Sequence, residues 1–323
     1  MNITMRESIR QAMAEEMRRD ETVFLLGEDI GQYGGTLKVT DGLWAEFGGD
    51  RVIDTPISEN AITGASVGAA MMGMRPVVEL MFGDFFFLAA DQLGNNAAKM
   101  RYIYDGKISV PMVVRAAFGG GSRTGIHHSQ SLEAVLANIP GLKIVMPSNA
   151  YDAKGLLKAA IRDNDPVIFM EHKMLYGTRS EIPEEDYTVP IGKAKVVKEG
   201  TDLTIVAWGN MVPKSLTAAK KLEEEDGISV EVVDLRTIVP VDHETIVNSV
   251  IKTGRLLIVH EASITGGFGG EIAAIVSKEA FGYLDAPIER VAAPDTPVPF
   301  SPTLEDAYLP NPEKIVEKAR TMF

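Results

Sequence analysis

The chain contains no cysteine. That single absence excludes disulfides, thiolate metal sites and thiol nucleophiles. Histidine is scarce too: five residues, His127, His128, His172, His243 and His260, in a chain of 323. Few side chains are therefore available for acid–base work near neutral pH. No apolar run approaches the roughly 20 residues that span a bilayer. The opening residues, Met1-Asn2-Ile3-Thr4-Met5-Arg6, lack the charged-then-apolar layout of a secretory signal. The expected location is cytoplasmic, or an organelle matrix if a transit segment has been removed. Basic charge is in short supply: 32 Lys and Arg stand against 45 Asp and Glu, a net charge of -13. Nucleic-acid backbones demand basic surface, so nucleic acid is not an expected partner. What remains is ordinary for a soluble globular protein, with 45% hydrophobic and 24% charged residues, and long enough for two domains.

Short apolar runs alternate with helical patterns through the first half. Thr4 and Glu7 form a capping-box pair that opens a helix to about residue 18. Strands are predicted at 23–26, 77–81, 110–114, 143–146 and 167–170, and helices at about 60–73, 85–104, 130–138 and 150–162. Polar residues without helical periodicity occupy 186–200, which reads as a linker. A second series follows: strands at 203–207, 229–234, 256–260 and 288–291, helices at 212–223, 243–252, 268–280 and 312–320. The expected fold is α/β with two domains, 1–185 and 201–323, each a mostly parallel sheet flanked by helices.

Ligands of open parallel sheets bind on loops at the carboxyl ends of strands. This directs attention to residues 27–36, 54–60, 82–87, 115–129 and 261–270. Glu59 ends the run Asp54-Thr55-Pro56-Ile57-Ser58-Glu59 and opens a helix of small residues that another backbone could approach closely. On spacing alone, the simplest reading of Glu59 is a carboxylate complementing a helix N-terminus. The adjacent His127 and His128, if extended, face opposite sides. No further ligands at zinc-like spacing accompany them. The Gly-rich run 266–270 has neither dinucleotide-fingerprint nor P-loop spacing.

These motifs, taken together and in order, resemble the β subunit of the 2-oxo acid dehydrogenase E1 component. The matching residues include Gly27-Glu28-Asp29, Asp54–Glu59, Asp91-Gln92, Ala97-Ala98-Lys99, Val110-Pro111, His128-Ser129-Gln130 and Pro140-Gly141-Leu142-Lys143. Asp234-Leu235-Arg236-Thr237, His260-Glu261-Ala262 and Thr265–Gly269 continue the series, so the resemblance covers essentially the whole chain. It implies a thiamine-diphosphate pyrimidine-binding domain followed by a transketolase C-terminal domain.

The resemblance also assigns roles. Glu59 would hydrogen-bond the aminopyrimidine ring of thiamine diphosphate and switch the cofactor on, a task served by a partly apolar setting. Phe85 would pack against that ring, or serve as a core aromatic. Met81 would line the pocket or the core. His128 would serve the acyl intermediate and the lipoyl group that receives it; the role of His127 stays open, and His172, His243 and His260 read as structural. A structural K⁺ would rest on main-chain oxygens of Met112, Ala160, Ile161, Asp163 and Asp165, the last standing where Asn is common.

One family feature is missing. Neither Gly83-Asp84 nor Gly49-Asp50 continues into the Gly-Asp-Gly motif that, with a later Asn-Asn, holds Mg²⁺ and the diphosphate. The resemblance therefore implies an α subunit that supplies the Mg²⁺ site, an α2β2 heterotetramer, and a lipoyl-bearing E2 acyltransferase as acyl acceptor. Pyruvate is the favoured 2-oxo acid. Acetoin follows, on the resemblance of 171–177 and 295–302 to acetoin-dehydrogenase β chains, and branched-chain 2-oxo acids rank third. A stand-alone transketolase-like enzyme would need the missing motif and about twice the length. A purely interacting subunit would need neither Glu59 nor His128.

Overall fold

The computed structural model describes residues 1–323, which divide into two compact units. The first comprises Met1–Phe118 and Val135–Ile191, the second Gly119–Ala134 and Gly192–Phe323. No helix is long and apolar enough to cross a membrane.

In the first unit, parallel strands run in the order Lys143–Val145, Val167–His172, Val113–Phe118, Arg75–Leu80, Val23–Gly27, Val52–Asp54. Every residue of Val113–Phe118 and of Val167–His172 is buried, as a sheet covered on both faces requires. The helix Met5–Arg19 begins with the anticipated capping box: Thr4 N donates to Glu7 Oε2 at 2.7 Å, and Glu7 N to Thr4 Oγ1 at 3.2 Å. Its apolar face (Met5, Ile9, Met13) joins one core with Leu156 and Leu157 of the helix Ala150–Arg162.

In the first unit, one strand and one helix depart clearly from expectation. The strand expected at 110–114 begins only at Val113, because Pro111 has no amide to give a ladder. The helix expected across 85–104 is interrupted. A 3₁₀ turn, Gly83–Phe85, leads into Phe86–Asp91, then a π-helical turn, Gln92–Ala97, then Ala98–Ile103. Side-chain amides stitch the wider turn, with Asn95 Nδ2 donating to Asp91 at 2.8 Å and Asn96 Nδ2 to Gln92 at 3.1 Å. Such insertions recur where a helix carries function.

The second unit has its own sheet, ordered Glu289–Ala293, Leu256–Ser263, Leu203–Ala207, Val230–Asp234, Lys195–Lys198. The last strand is antiparallel to its neighbour. Its flanking lysines enclose Val196 and Val197, a pattern that the polar character of the surrounding segment conceals. The helices His243–Thr253 and Met211–Asp226 end on Gly254 and Gly227, both left-handed (φ 71° and 69°), a conformation that glycine adopts without a Cβ penalty. The helix Pro302–Tyr308 was not anticipated. It carries proline at its first position, where the missing amide costs nothing.

Candidate active site

The strand order of the first unit reverses beside Val23–Gly27. The next strand in the chain, Val52–Asp54, lies on one side and Arg75–Leu80 on the other. This is the switch point at which parallel sheets hold ligands. Residues 28–35, 55–59 and 81–85 leave the strands here. Two of these loops are tied together: Thr55 N donates to Gly27 O at 3.0 Å, and Gly31 N to Asp54 Oδ1 at 2.7 Å.

Glu59 is the first residue of the helix Glu59–Met71 and is only 5% exposed. Ser58 precedes it as N-cap, its Oγ accepting from Ala61 N at 3.4 Å. The small residues of this helix allow close approach: a Cβ on Gly64 would come within 3.2 Å of the Gln92 side chain. Met81 and Phe85 leave the neighbouring strand, both half-buried. Phe85 packs edge-on to Phe82, centroids 6.0 Å apart. Gly83 between them is held against Phe118, whose ring would lie 2.3 Å from any Cβ placed there. Met81 also lines a small cavity with Leu80, Glu79, Arg115 and Tyr176. Glu59, Met81 and Phe85 thus belong to one unit and one end of one sheet.

A residue not singled out from the sequence joins them. Glu28 follows the strand Val23–Gly27 directly and is buried. Burial raises its carboxyl pKa above the ordinary value, and the charges of Glu59 and Asp29 add to the rise, while the Ser58 amide opposes it. Two facing carboxylates retain a proton to higher pH than either would alone. Glu28 Oε1 and Thr55 Oγ1 are buried with no hydrogen-bond partner in the chain. Orphan oxygens of this kind are costly unless something polar meets them, so this end of the sheet suits a ligand that donates hydrogen bonds. The available signal was a carboxylate in a Gly-rich loop immediately after a strand.

Beneath the site lies a buried charge cluster. Arg115 Nε and Nη2 donate to the two oxygens of Glu171 at 2.6 and 2.8 Å, and Nη1 to Glu79 at 2.8 Å. The Tyr176 hydroxyl donates to Glu171 at 2.6 Å. Burial disfavours the guanidinium charge, yet Glu171 and Glu79 outweigh it and hold the pKa above its usual value.

His128 lies in the segment 119–134, which belongs to the second unit. The segment turns at the histidine pair rather than running extended. His128 N donates to Gly125 O at 3.3 Å, and Thr124 Oγ1 to the His128 carbonyl at 3.1 Å, closing a turn. His127 is exposed and His128 half-buried. Among the other histidines, His172 Nδ1 accepts from Met174 N at 3.3 Å and caps a 3₁₀ turn. His243 pairs with Glu279 at 3.0 Å on the surface. His260 stacks on Trp208, centroids 5.5 Å apart and planes 3° apart, and burial pushes its pKa down to about 4.

The same unit buries Glu133 completely, with Trp208 Nε1 donating to its Oε1 at 3.1 Å. Burial, aided by the charge of Glu261 and opposed by the Trp208 bond, pushes its carboxyl up to about 7. The folded chain then holds this proton more tightly than the unfolded chain does. Its contribution to stability should therefore fall as pH rises from 4.5 towards 7 and stay low above it, while that of His260 rises between about pH 4 and 6.5. Glu133→Gln should remove that contribution and stabilise the protein at pH 8 by on the order of 3 kcal/mol relative to the parent. Urea unfolding of both proteins across that range measures it, and parallel pH profiles would refute it.

Residues 1–179 match the transketolase pyrimidine-binding domain and residues 192–315 the transketolase C-terminal domain. The chain is 51% identical over 318 residues to the 2-oxoisovalerate dehydrogenase subunit β of Bacillus subtilis (strain 168), covering 98% of this chain and 97% of that one. It is 50% identical over 328 residues to the acetoin:2,6-dichlorophenolindophenol oxidoreductase subunit β of Cupriavidus necator (98% and 96% covered). It is 48% identical over 322 residues to the pyruvate dehydrogenase E1 component subunit β of Bacillus subtilis (strain 168) (99% and 98% covered). Among solved structures, a split-gene transketolase, an inactive β4 tetramer, superposes with a TM-score of 0.81 at 26% identity, covering 99% of this chain and 98% of that one. The chain belongs to the thiamine-diphosphate-dependent transketolase-like family, among the β subunits of 2-oxo acid dehydrogenase E1 components.

Proposed function

We propose that this chain, together with an α subunit, oxidatively decarboxylates a 2-oxo acid and passes the acyl unit to a lipoyl group on an E2 acyltransferase in the cytoplasm. Pyruvate is the favoured substrate and acetoin the alternative. The observation that carries the reading is the Glu28–Glu59 pair at the switch point, with orphan oxygens on Glu28 and Thr55 at the same end of the sheet as the half-buried Phe85. Thiamine diphosphate would supply the electron sink that the protein's own side chains lack. Glu59 would share a proton with the cofactor's aminopyrimidine nitrogen, with the carboxyl of Glu28, its pKa raised, beside it. Phe85 and Met81 would flank the ring, and His128 would donate to the acyl-transfer step.

The need for a partner is supported by the missing diphosphate motif and by exposed apolar side chains in the first unit. Ile57 is 82% exposed, Met72 86% and Tyr102 91%, exposures expected of an interaction surface rather than of water-facing positions. The reading assigns Mg²⁺ to the α subunit and the assembly to an α2β2 heterotetramer. Co-expression with the α chain, followed by assay of pyruvate, acetoin and branched-chain 2-oxo acids with an artificial electron acceptor, tests the whole reading. Full activity from this chain alone would overturn it, and the ranking of the three substrates decides among them.

We also propose the main-chain K⁺ site. The oxygens of Met112 and Ala160 accept from Val167 N and Asp163 N, and those of Ile161 and Asp163 from Arg75 Nη1, at 2.9–3.2 Å. Each carbonyl keeps a second lone pair. Arg75, Lys143 and Arg101 lie in the same cluster, with Lys143 bridging Asp163 and Asp165, and their charge counts against tight binding. Exchanging K⁺ for choline should lower the unfolding midpoint by a few degrees, by loss of a native-state ligand. Identical midpoints would remove the site.

A further inference from the structure

The segment that carries His128 leaves the first unit at Phe118 and returns to it at Val135, and throughout it belongs to the second unit. Its fastening there is specific. Gly120 N donates to Glu261 Oε1 at 2.6 Å, and Ser131 Oγ to the same oxygen at 3.4 Å. Gly121 N donates to Glu305 Oε1 at 2.7 Å, and Arg123 Nη1 to Glu305 Oε2 at 2.7 Å. Arg123 also reaches the Pro302 carbonyl at 3.0 Å and Asp306 at 2.7 Å. Two successive amides of this Gly-rich loop thus each meet a carboxylate of the second unit.

The stretch 300–306 reaches Gly121, Arg123 and Gly125. Glu305 is fully buried there. The Phe300 ring packs against Gly125, where an added Cβ would lie 3.1 Å from it. Gly125 and Arg123 are both left-handed (φ 77° and 59°). For arginine that conformation is strained and persists only where its surroundings enforce it. From this anchored bend the path to the histidine is short: Gly125 O accepts from His128 N, and Thr124 Oγ1 donates to the His128 carbonyl.

We propose that Glu305, acting through Gly121 and Arg123, is a positioning residue for His128, and that the helix Pro302–Tyr308 is the strap that sets the histidine's place. This rests on the role proposed above for His128 and adds what holds it there. A buried carboxylate accepting from a main-chain amide and a guanidinium at once gives both direction and strength. Gln at 305 can accept with only one of its two terminal atoms, so one of the two bonds to this side chain must be lost.

The test uses the assembled α/β enzyme with thiamine diphosphate and a free lipoyl domain. Glu305→Gln should lower kcat for lipoyl acylation about 10²-fold, the scale set by misplacing a reacting group by about an ångström. The KM for the 2-oxo acid and the cofactor affinity should stay near the parent values. Arg123→Ala, a change at a half-exposed side chain, should act in the same direction and guards against a folding defect in the buried variant. Hydrogen exchange at the amides of 120–128 should quicken in both variants. His128→Ala in parallel separates the two readings. If His128→Ala impairs acylation while Glu305→Gln and Arg123→Ala do not, the positioning role is overturned and the histidine's role stands. If His128→Ala acylates normally, the reading of His128 falls, and this inference with it. Unchanged exchange at 120–128 in Glu305→Gln would overturn the strap directly.

Discussion

Glu59→Gln is expected to lower cofactor-dependent turnover of the assembled enzyme by about 10²- to 10⁴-fold, the range over which a positioned acid–base group acts. The substitution preserves side-chain size at a position only 5% exposed, and an amide is tolerated at a helix start. What it removes is the ability to share a proton with a ring nitrogen. It also removes one of the two negative charges that raise the Glu28 pKa, so Glu28 should titrate lower in the variant. The fold should not suffer, because a like-charge contact is relieved. The informative result is therefore a large loss of turnover with an unfolding midpoint equal to or above that of the parent. Normal turnover would remove Glu59 from the mechanism. A loss of turnover accompanied by a fallen midpoint would mean that the carboxylate serves the helix rather than the cofactor.

Arg115→Met should destabilise the protein by about 3–5 kcal/mol, because it strands the buried Glu171 and the half-buried Glu79 without their cation. Glu79, Arg115 and Glu171 lie on three neighbouring parallel strands, with Glu79 in register with both Arg115 and Gly27. Disorder at Glu79 should therefore reach the loop that begins at Gly27 and carries Glu28. The expected observation is a midpoint lowered by on the order of 10 °C, together with weaker cofactor binding. Neutralising the carboxylates as well, in Arg115→Met with Glu79→Gln and Glu171→Gln, should recover much of the loss, since the cost lies in the uncompensated charges and not in the missing arginine. A loss below about 1 kcal/mol, the scale of an exposed pair, would show that water reaches the cluster.

Different residues show how far the sequence could be read. The capping box of Thr4 and Glu7, the 150–162 helix and the strand at 203–207 were legible because periodicity and capping are local. The break at Gln92–Ala97 was not, since its side-chain stitches lie within a pattern that reads as one helix. The strand Lys195–Lys198 was hidden by its polar neighbours. It forms because Val230–Asp234 offers an edge, and nothing within residues 195–198 announces that edge.

By itself, the sequence determined the family, the two-part α/β plan and the placing of Glu59 at the start of a small-residue helix, all carried by short motifs whose meaning survives without coordinates. Only the tertiary structure brought Glu28 against Glu59, joined Arg115 to Glu79 and Glu171, and fastened the segment bearing His128 to carboxylates 141 and 184 positions from their partners. The physical reason is the range of the forces involved. Caps and helical faces arise between residues a few positions apart, whereas the burial of a charge and the choice of its partner depend on which strands and loops the topology places side by side.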